Sequence, residues 1–224
     1  MSATRQKRFK VVPEMQGVVA RWYARQRGSA SQLEAYRAQA AQLTAGLPPG
    51  AVVLEVAPGP GYLAIELARR GAHVTGLDIS RSFVEIAGQH ARQAAVSVDF
   101  RQGDAASLPF DPESFDLVVC QAAFKNFTRP VSALNEMHRV LRRGGTAVIQ
   151  DLRKDASGAD IDREVKEMGL GRLSGRMTRW TLRMLRRRAY SPDQFERLAA
   201  ESSFRTCDIR TEGVGMEVRL QRQG

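Results

Sequence analysis

Glu55 stands inside the apolar run Val52-Val53-Leu54-Glu55-Val56, directly before Ala57-Pro58-Gly59-Pro60-Gly61. A carboxylate in an apolar strand is costly unless something pairs with it. A ligand carrying a cation, or several hydroxyl and amine donors, would provide that pairing. Glycine has no Cβ to hold a ligand away, so Gly59 and Gly61 permit close backbone approach, and Ala57, Gly59 and Gly61 are expected to line the bound group. Asp78 closes the run His73–Leu77, about 20 residues past the turn, where a carboxylate can chelate both hydroxyls of a ribose. It could equally cap the next helix. In Gly103-Asp104-Ala105 the carboxylate could accept from an adenine amino group while the Ala105 amide meets a ring nitrogen, although an ordinary polar turn has the same composition. Gln121 ends a fourth apolar run, Phe115–Cys120, on the same crevice.

These residues need strands that end together. Strands are expected at Val52–Val56, His73–Leu77, Ser97–Arg101, Phe115–Cys120 and Thr146–Asp151, with helices at Tyr62–Arg70, from Ser80 or Ser82, and at Val131–Leu141. Alternating strands and helices predict an α/β, Rossmann-like, doubly wound sheet, whose ligands bind at the carboxyl ends of the strands. Ser191-Pro192-Asp193-Gln194 reads as a capping box with proline at N1. The runs Thr206–Arg210 and Met216–Leu220 are expected to form an antiparallel hairpin at the sheet edge. Residues 1–49 read as a helical N-terminal cap. There Met15, Val18, Val19, Trp22 and Tyr23 recur at helical spacing, and Ser31–Glu34 suggests a capping box opening a second helix. Residues 50–224 form the main domain, with 152–190 a basic helical insertion.

Gly59-Pro60-Gly61-Tyr62-Leu63-Ala64 satisfies GxGxxA and, by itself, also fits a nicotinamide dinucleotide. Further phrases separate the two readings: Gly-Leu-Asp-Ile-Ser, Gly-Asp-Ala, Phe-Asp-Leu-Val-Val, and the helix end Arg139-Val140-Leu141-Arg142-Arg143-Gly144-Gly145. Together, from Val52 to Asp151, the chain resembles the class I S-adenosylmethionine-dependent methyltransferases. The exit of the fourth strand, Phe124-Lys125-Asn126-Phe127-Thr128, is similar to that of the ubiquinone/menaquinone biosynthesis C-methyltransferases. The resemblance implies S-adenosyl-L-methionine as cofactor and the strand order 3-2-1-4-5-7-6. It places cofactor contacts at Glu55, Ala57, Gly59, Gly61, Asp78, Ile79, Asp104, Ala105 and Gln121, and acceptor contacts or catalysis at Lys125 and Asn126. Tyr23 is a candidate lid over the cofactor's carboxylate, or a core contact beside Trp22. Ala57 stands where the family has glycine, and a negative φ would make that substitution tolerable.

At 224 residues the chain suits one α/β core. Its two cysteines, Cys120 and Cys207, read as reduced thiols, Cys120 as a buried strand residue, and the composition suggests a cytoplasmic protein. His73, His90 and His138 are scattered, so no metal is expected. The basic start, Met1–Arg8, is followed by no apolar segment of signal-peptide type. The formal charge is +10, which arginine-rich composition explains without a partner; an anionic partner is the alternative. Within the insertion Arg172, Arg176, Arg179, Arg183 and Arg187 run beside Leu173, Met177, Trp180 and Met184. The expectation is a lid helix packed on the core by that apolar stripe, its arginines solvated. A basic mouth for an anionic acceptor, or a helix on a membrane surface, is the other reading. The acceptor is expected to be a small lipophilic or aromatic metabolite, methylated at oxygen or carbon. A nucleic-acid substrate is disfavoured for want of an Asp-Pro-Pro-Tyr-like or Pro-Cys motif, and the oligomeric state is open.

Overall fold

The computed structural model describes residues 15–169 and 171–223. The basic segment 1–8 lies outside them, as does the side chain of Arg172. Seven strands form one sheet in the order β3-β2-β1-β4-β5-β7-β6. They are β1 (Val52–Val56), β2 (His73–Asp78), β3 (Asp99–Gln102), β4 (Phe115–Gln121), β5 (Leu141–Leu152), β6 (Asp208–Glu212) and β7 (Gly215–Gln221). All pairings among β1 to β5 are parallel, and β7 runs antiparallel to both β5 and β6. The order reverses between β1 and β4, and their carboxyl ends flank the crevice where a doubly wound sheet takes its ligand.

The α-helices among the described residues are α1 (Gly17–Arg27), α2 (Ala30–Thr44), α3 (Tyr62–Arg69), α4 (Arg81–Gln93), α5 (Pro130–Val140), α6 (Gly158–Glu167), α7 (Arg172–Arg186) and α8 (Pro192–Glu201). Alternate residues of the central strands face opposite layers. Leu54, Val56, Val118, Cys120, Ala147 and Ile149 pack with Leu134 and Met137 of α5 and Phe195 and Ala199 of α8. Val53, Leu117, Val119 and Val148 pack with Tyr36, Ala40 and Leu43 of α2 and Leu63 and Leu67 of α3. α2 is therefore part of a core layer, more integrated than a cap.

Several local expectations change. α2 starts at Ala30 with Ser29 before it, and no side-chain cap hydrogen bond forms, so the Ser31–Glu34 box is absent. Ser80, not Ser82, caps α4, its hydroxyl accepting from Phe83 N. β5 begins at Leu141 and carries Gly144 and Gly145 within the strand, because the two-strand β6–β7 unit extends its ladder: Gly144 N donates to Arg222 O, and Arg222 N to Gly145 O. The Ser191–Gln194 capping box forms as read, with Pro192 in the first turn.

The insertion is a helical hairpin, α6 and α7, closed at its base where Arg153 bridges Tyr190. It rests on a small cluster of Ala156, Ile161, Val165 and Val214, with Leu152 and Leu182 packed against it. Val214 lies in the β6–β7 turn, which faces the carboxyl end of β5 through the Leu152–Gly215 pair. The apolar stripe of α7 does not make this contact: Leu173, Met177, Trp180 and Met184 are exposed. The expected packing is thus corrected. Leu182 and Gly175, on the opposite side of the helix, turn inward.

Candidate active site

The exit of β1 is bent by three residues in the left-handed region: Ala57 (φ 58°), Gly59 (φ 54°) and Gly61 (φ 81°). The expectation of a negative φ at Ala57 is therefore overturned. Ala57 N donates to Leu77 O at 2.8 Å, a bond from the β1 exit to β2 that fixes the bend. A Cβ on Gly61 would come within 2.8 Å of Ala87 Cβ and 2.9 Å of Phe100, so glycine there serves helix packing. A Cβ on Gly59 would meet nothing within 4 Å. Of the two glycines, Gly59 faces open space and is the one suited to a ligand.

Glu55 is 2% exposed, and its Oε2 has no hydrogen-bond partner. Burial pushes the carboxyl up to about 8; a backbone hydrogen bond from Ala64 pulls the other way, and the nearby Asp78 carboxylate adds to the rise. A buried acid with an orphaned oxygen is the arrangement that a donor-rich or cationic ligand group would complete.

Asp78 is buried at the end of β2. Its Oδ2 accepts from Gly59 N at 3.0 Å and its Oδ1 from Ser80 N at 2.8 Å. The carboxylate fastens the glycine turn to the start of α4, so the capping and ligand-facing readings fall on one residue. Beside it Ile79 is 38% exposed, and its carbonyl accepts from Gln102 Nε2. Asp104 is exposed after β3; Oδ1 accepts from Ala106 N at 2.9 Å and Oδ2 from Arg129 at 2.8 Å. Ala105 is half-buried beside the core. Ile79, Asp104 and Ala105 thus follow neighbouring strands β2 and β3.

Tyr23 packs its ring edge-on against Phe83 of α4, centroids 5.8 Å apart, which is the core-contact reading. Its companions Val18, Val19 and Trp22 are exposed, and the face that α1 buries is instead that of Ala20 and Ala24. α1 is also pinned by polar bonds: Ser80 Oγ donates to Met15 O, Gly17 N to Ser82 Oγ, and Tyr62 Oη to Ala24 O.

Lys125 is buried in the short 3₁₀ turn Phe124–Asn126. Its Nζ donates to Asp151 Oδ1 at 2.7 Å and to the carbonyl of Ala122, while its backbone N–H donates to Asp151 Oδ2 at 3.0 Å. Both side chains are under 5% exposed, at 4% and 3%. Asp151 is the residue sequence reasoning missed; its signal was an acid closing an apolar strand, the same signal Glu55 and Asp78 give. Asn126 is exposed at the same exit. Ala122, between Gln121 and this turn, has φ 55°, so β1 and β4 both leave the sheet through a left-handed alanine.

Gln121 does not point alone into the crevice. Its Nε2 donates to Gln39 Oε1 at 2.7 Å, Gln39 reaches Gln150, and Gln150 Nε2 donates to Glu217 Oε2 at 2.7 Å. Gln121, Gln150 and Glu217 are register partners on adjacent strands, a polar row crossing the sheet beneath α2. Cys120 is fully buried, and burial raises its thiol well above the usual range, so it is no nucleophile. A groove between α4 and β3, lined by Val84, Gly88, Arg92 and Phe100 among others, lies away from Glu55 and Asp78. Among the described residues, no group of three or more His, Cys, Asp or Glu could hold a metal ion.

The sheet order and the strand-end loops define a doubly wound, Rossmann-like domain with a candidate site at the β1 and β2 exits. Residues 54–149 match the family described as methyltransferase domain. The chain is 41% identical over 108 residues to a demethylmenaquinone methyltransferase of Deinococcus radiodurans, covering 47% of this chain and 45% of that protein. It is 32% identical over 107 residues to a ubiquinone biosynthesis O-methyltransferase of Pseudomonas paraeruginosa, covering 47% and 46%. Each match thus spans under half the relative's length. A SAM-dependent methyltransferase from Aquifex aeolicus shares the fold with a TM-score of 0.67 at 16% identity, covering 90% of this chain and 97% of that one.

Proposed function

We propose that this protein transfers a methyl group from S-adenosyl-L-methionine to a small lipophilic or aromatic acceptor of the quinone-precursor class. The observation that carries the reading is the buried Glu55 with its orphaned Oε2 beside a turn left open at Gly59. The residues fit the cofactor. Glu55 would take the cationic methionine end, Asp78 the ribose hydroxyls, and Ile79, Asp104 and Ala105 the adenine. When bound, the cofactor supplies an electrophilic methyl on a sulfonium. The protein's own task is to hold an acceptor in line and exclude water, and orientation of this kind can contribute about 7–11 kcal/mol.

Gln121, Gln39 and Gln150 are the groups best suited to orient a polar substituent of the acceptor, through amides already held by one another. Exposed Asn126 is the candidate contact at the β4 exit. Buried Lys125 is a positioning residue acting through Asp151. The two quinone-pathway relatives support the acceptor class; one of them is oxygen-directed by name and the other names no atom, so oxygen and carbon both stay within the reading.

Calorimetry with S-adenosylhomocysteine, NAD and NADP tests the first half: binding of the first alone is expected, and binding of a nicotinamide nucleotide instead would end the reading. Labelled methyl transfer to demethylated naphthoquinol and to catechol-type phenols tests the second. Cofactor binding without transfer to either would remove the acceptor class.

A further inference from the structure

α7 has two apolar sides, and only one is used. At about 100° per residue, Leu173, Met177, Trp180 and Met184 fall within an arc of about 60°. Leu182 and Gly175 lie opposite and face the rest of the hairpin. The outer stripe is open: Leu173 is 85% exposed and Trp180 62%. Contiguous exposed apolar surface of this kind marks an interaction site.

The flanking charge says what covers it. Residues 172–188 hold seven arginines and no acidic residue. Two are occupied inward: Arg179 pairs with Asp162 at 2.5 Å, and Arg186 donates to the carbonyl of Ala156. Arg176, Arg183 and Arg187 are exposed and lie along one border of the stripe. The other border carries Ser174 and Thr181. An apolar strip with indole and thioether side chains, edged by guanidinium groups, matches the boundary of an anionic bilayer: hydrocarbon under the strip, phosphate over the arginines. Arginine stems can lie along the apolar zone while their heads stay at phosphate level.

We propose that α7 docks the protein on the surface of an anionic phospholipid membrane, lying in its plane by the Leu173-Met177-Trp180-Met184 face. No described helix is long and apolar enough to cross a membrane, and docking requires none. The inference goes beyond the methyl-transfer reading and does not use it. Vesicle binding is read without cofactor or acceptor, so either can fail alone.

The two tryptophans, Trp22 and Trp180, make the test specific. In the otherwise intact chain, Trp22→Phe leaves Trp180 as the only indole. With vesicles of equal parts phosphatidylcholine and phosphatidylglycerol, its emission should shift to the blue and be quenched by brominated acyl chains. Phosphatidylcholine alone should give neither. Arg176→Gln with Arg183→Gln should weaken vesicle affinity roughly tenfold to thirtyfold, and Met177→Ser with Trp180→Ser should abolish co-sedimentation. These are exposed positions, and unchanged circular dichroism and S-adenosylhomocysteine affinity would show that the variants are folded. No shift on anionic vesicles, or binding that survives both double variants, overturns the proposal. So does sedimentation velocity showing a lipid-free dimer that the serine variant dissociates, since a second copy would then cover the stripe. Equal affinity for an RNA hairpin, lost in the same arginine variant, would overturn it as well.

Discussion

Glu55 keeps its proton because burial makes the anion costly, and that gives the ligand-free protein a definite pH behaviour. The carboxyl ordinarily titrates near 4.5 and is raised to about 8 in the fold. Below 4.5 both states hold the proton. Above it the unfolded chain releases the proton while the folded chain keeps it, so stability falls as pH rises, until the folded carboxyl titrates near 8. Glu55→Gln, neutral throughout, should remove that slope and be more stable than the parent by a few kcal/mol at pH 8.5, read by denaturant titration. Cofactor affinity should run the other way. It should rise from pH 6 to 8 as the carboxylate becomes available to a cation, and Glu55→Gln should flatten this rise and weaken binding about tenfold or more at pH 8. An unchanged calorimetric profile in the variant would remove Glu55 from the site. At the neighbouring bend, Ala57 with φ 58° carries strain of about 1–2 kcal/mol that glycine would relieve. The freer unfolded chain of Ala57→Gly offsets about 0.4–1 kcal/mol of that. A net gain near 1 kcal/mol is expected, and a loss of stability would mean the bend is not strained.

The exits of β4 and β5 are joined by Lys125 and Asp151, a pair whose members are useful to each other and expensive alone. Lys125→Met should cost about 3–5 kcal/mol, because Asp151 would be left charged and dry. For a chain of this size the melting temperature should drop by about 10 °C. Adding Asp151→Leu should recover much of the stability. If methyl transfer recovers with it, the pair positions the exits; if transfer stays lost in a stable double variant, Lys125 does more than position. This pair also shows where sequence reading ran out. The strands and the glycine turn after β1 were legible because apolar runs, turn residues and acids at strand ends are local signals, whereas the strand order followed only from the family resemblance. The burial of Lys125 depends on a residue 26 positions away across the β4–β5 register, which no local pattern records. The inner side of α7 was misjudged for a related reason. Both sides of that helix carry apolar residues, and the more prominent stripe, with its tryptophan, is the one left outside.

At the scale of the molecule, the polar bonds of α1 couple the N-terminal helix to the proposed cofactor site, beside the packing of Ala20, Ala24 and Tyr23. Met15 and Gly17 are bonded to Ser80 and Ser82, two and four positions after Asp78, and Asp78 itself holds Gly59 and Ser80. A ligand that orders the Gly59 turn and the Asp78 carboxylate must therefore also restrain the start of α1. Hydrogen exchange can read this in the intact chain. Amides of β1, β4 and β5 lie in a sheet buried on both faces and should exchange only by global unfolding. With S-adenosylhomocysteine at a hundred times its dissociation constant, these amides should slow about a hundredfold, the 2.7 kcal/mol expected from linkage. Residues 57–61, 78–82 and 15–23 should become protected in the same titration, while α7, held by α6 and exposed outward, should not respond. Protection at the two loops with no change at 15–23 would mean that α1 is a passive attachment. Protection of α7 by the cofactor alone would mean that the insertion belongs to the cofactor site, and its exposed face would then need a different account from a membrane.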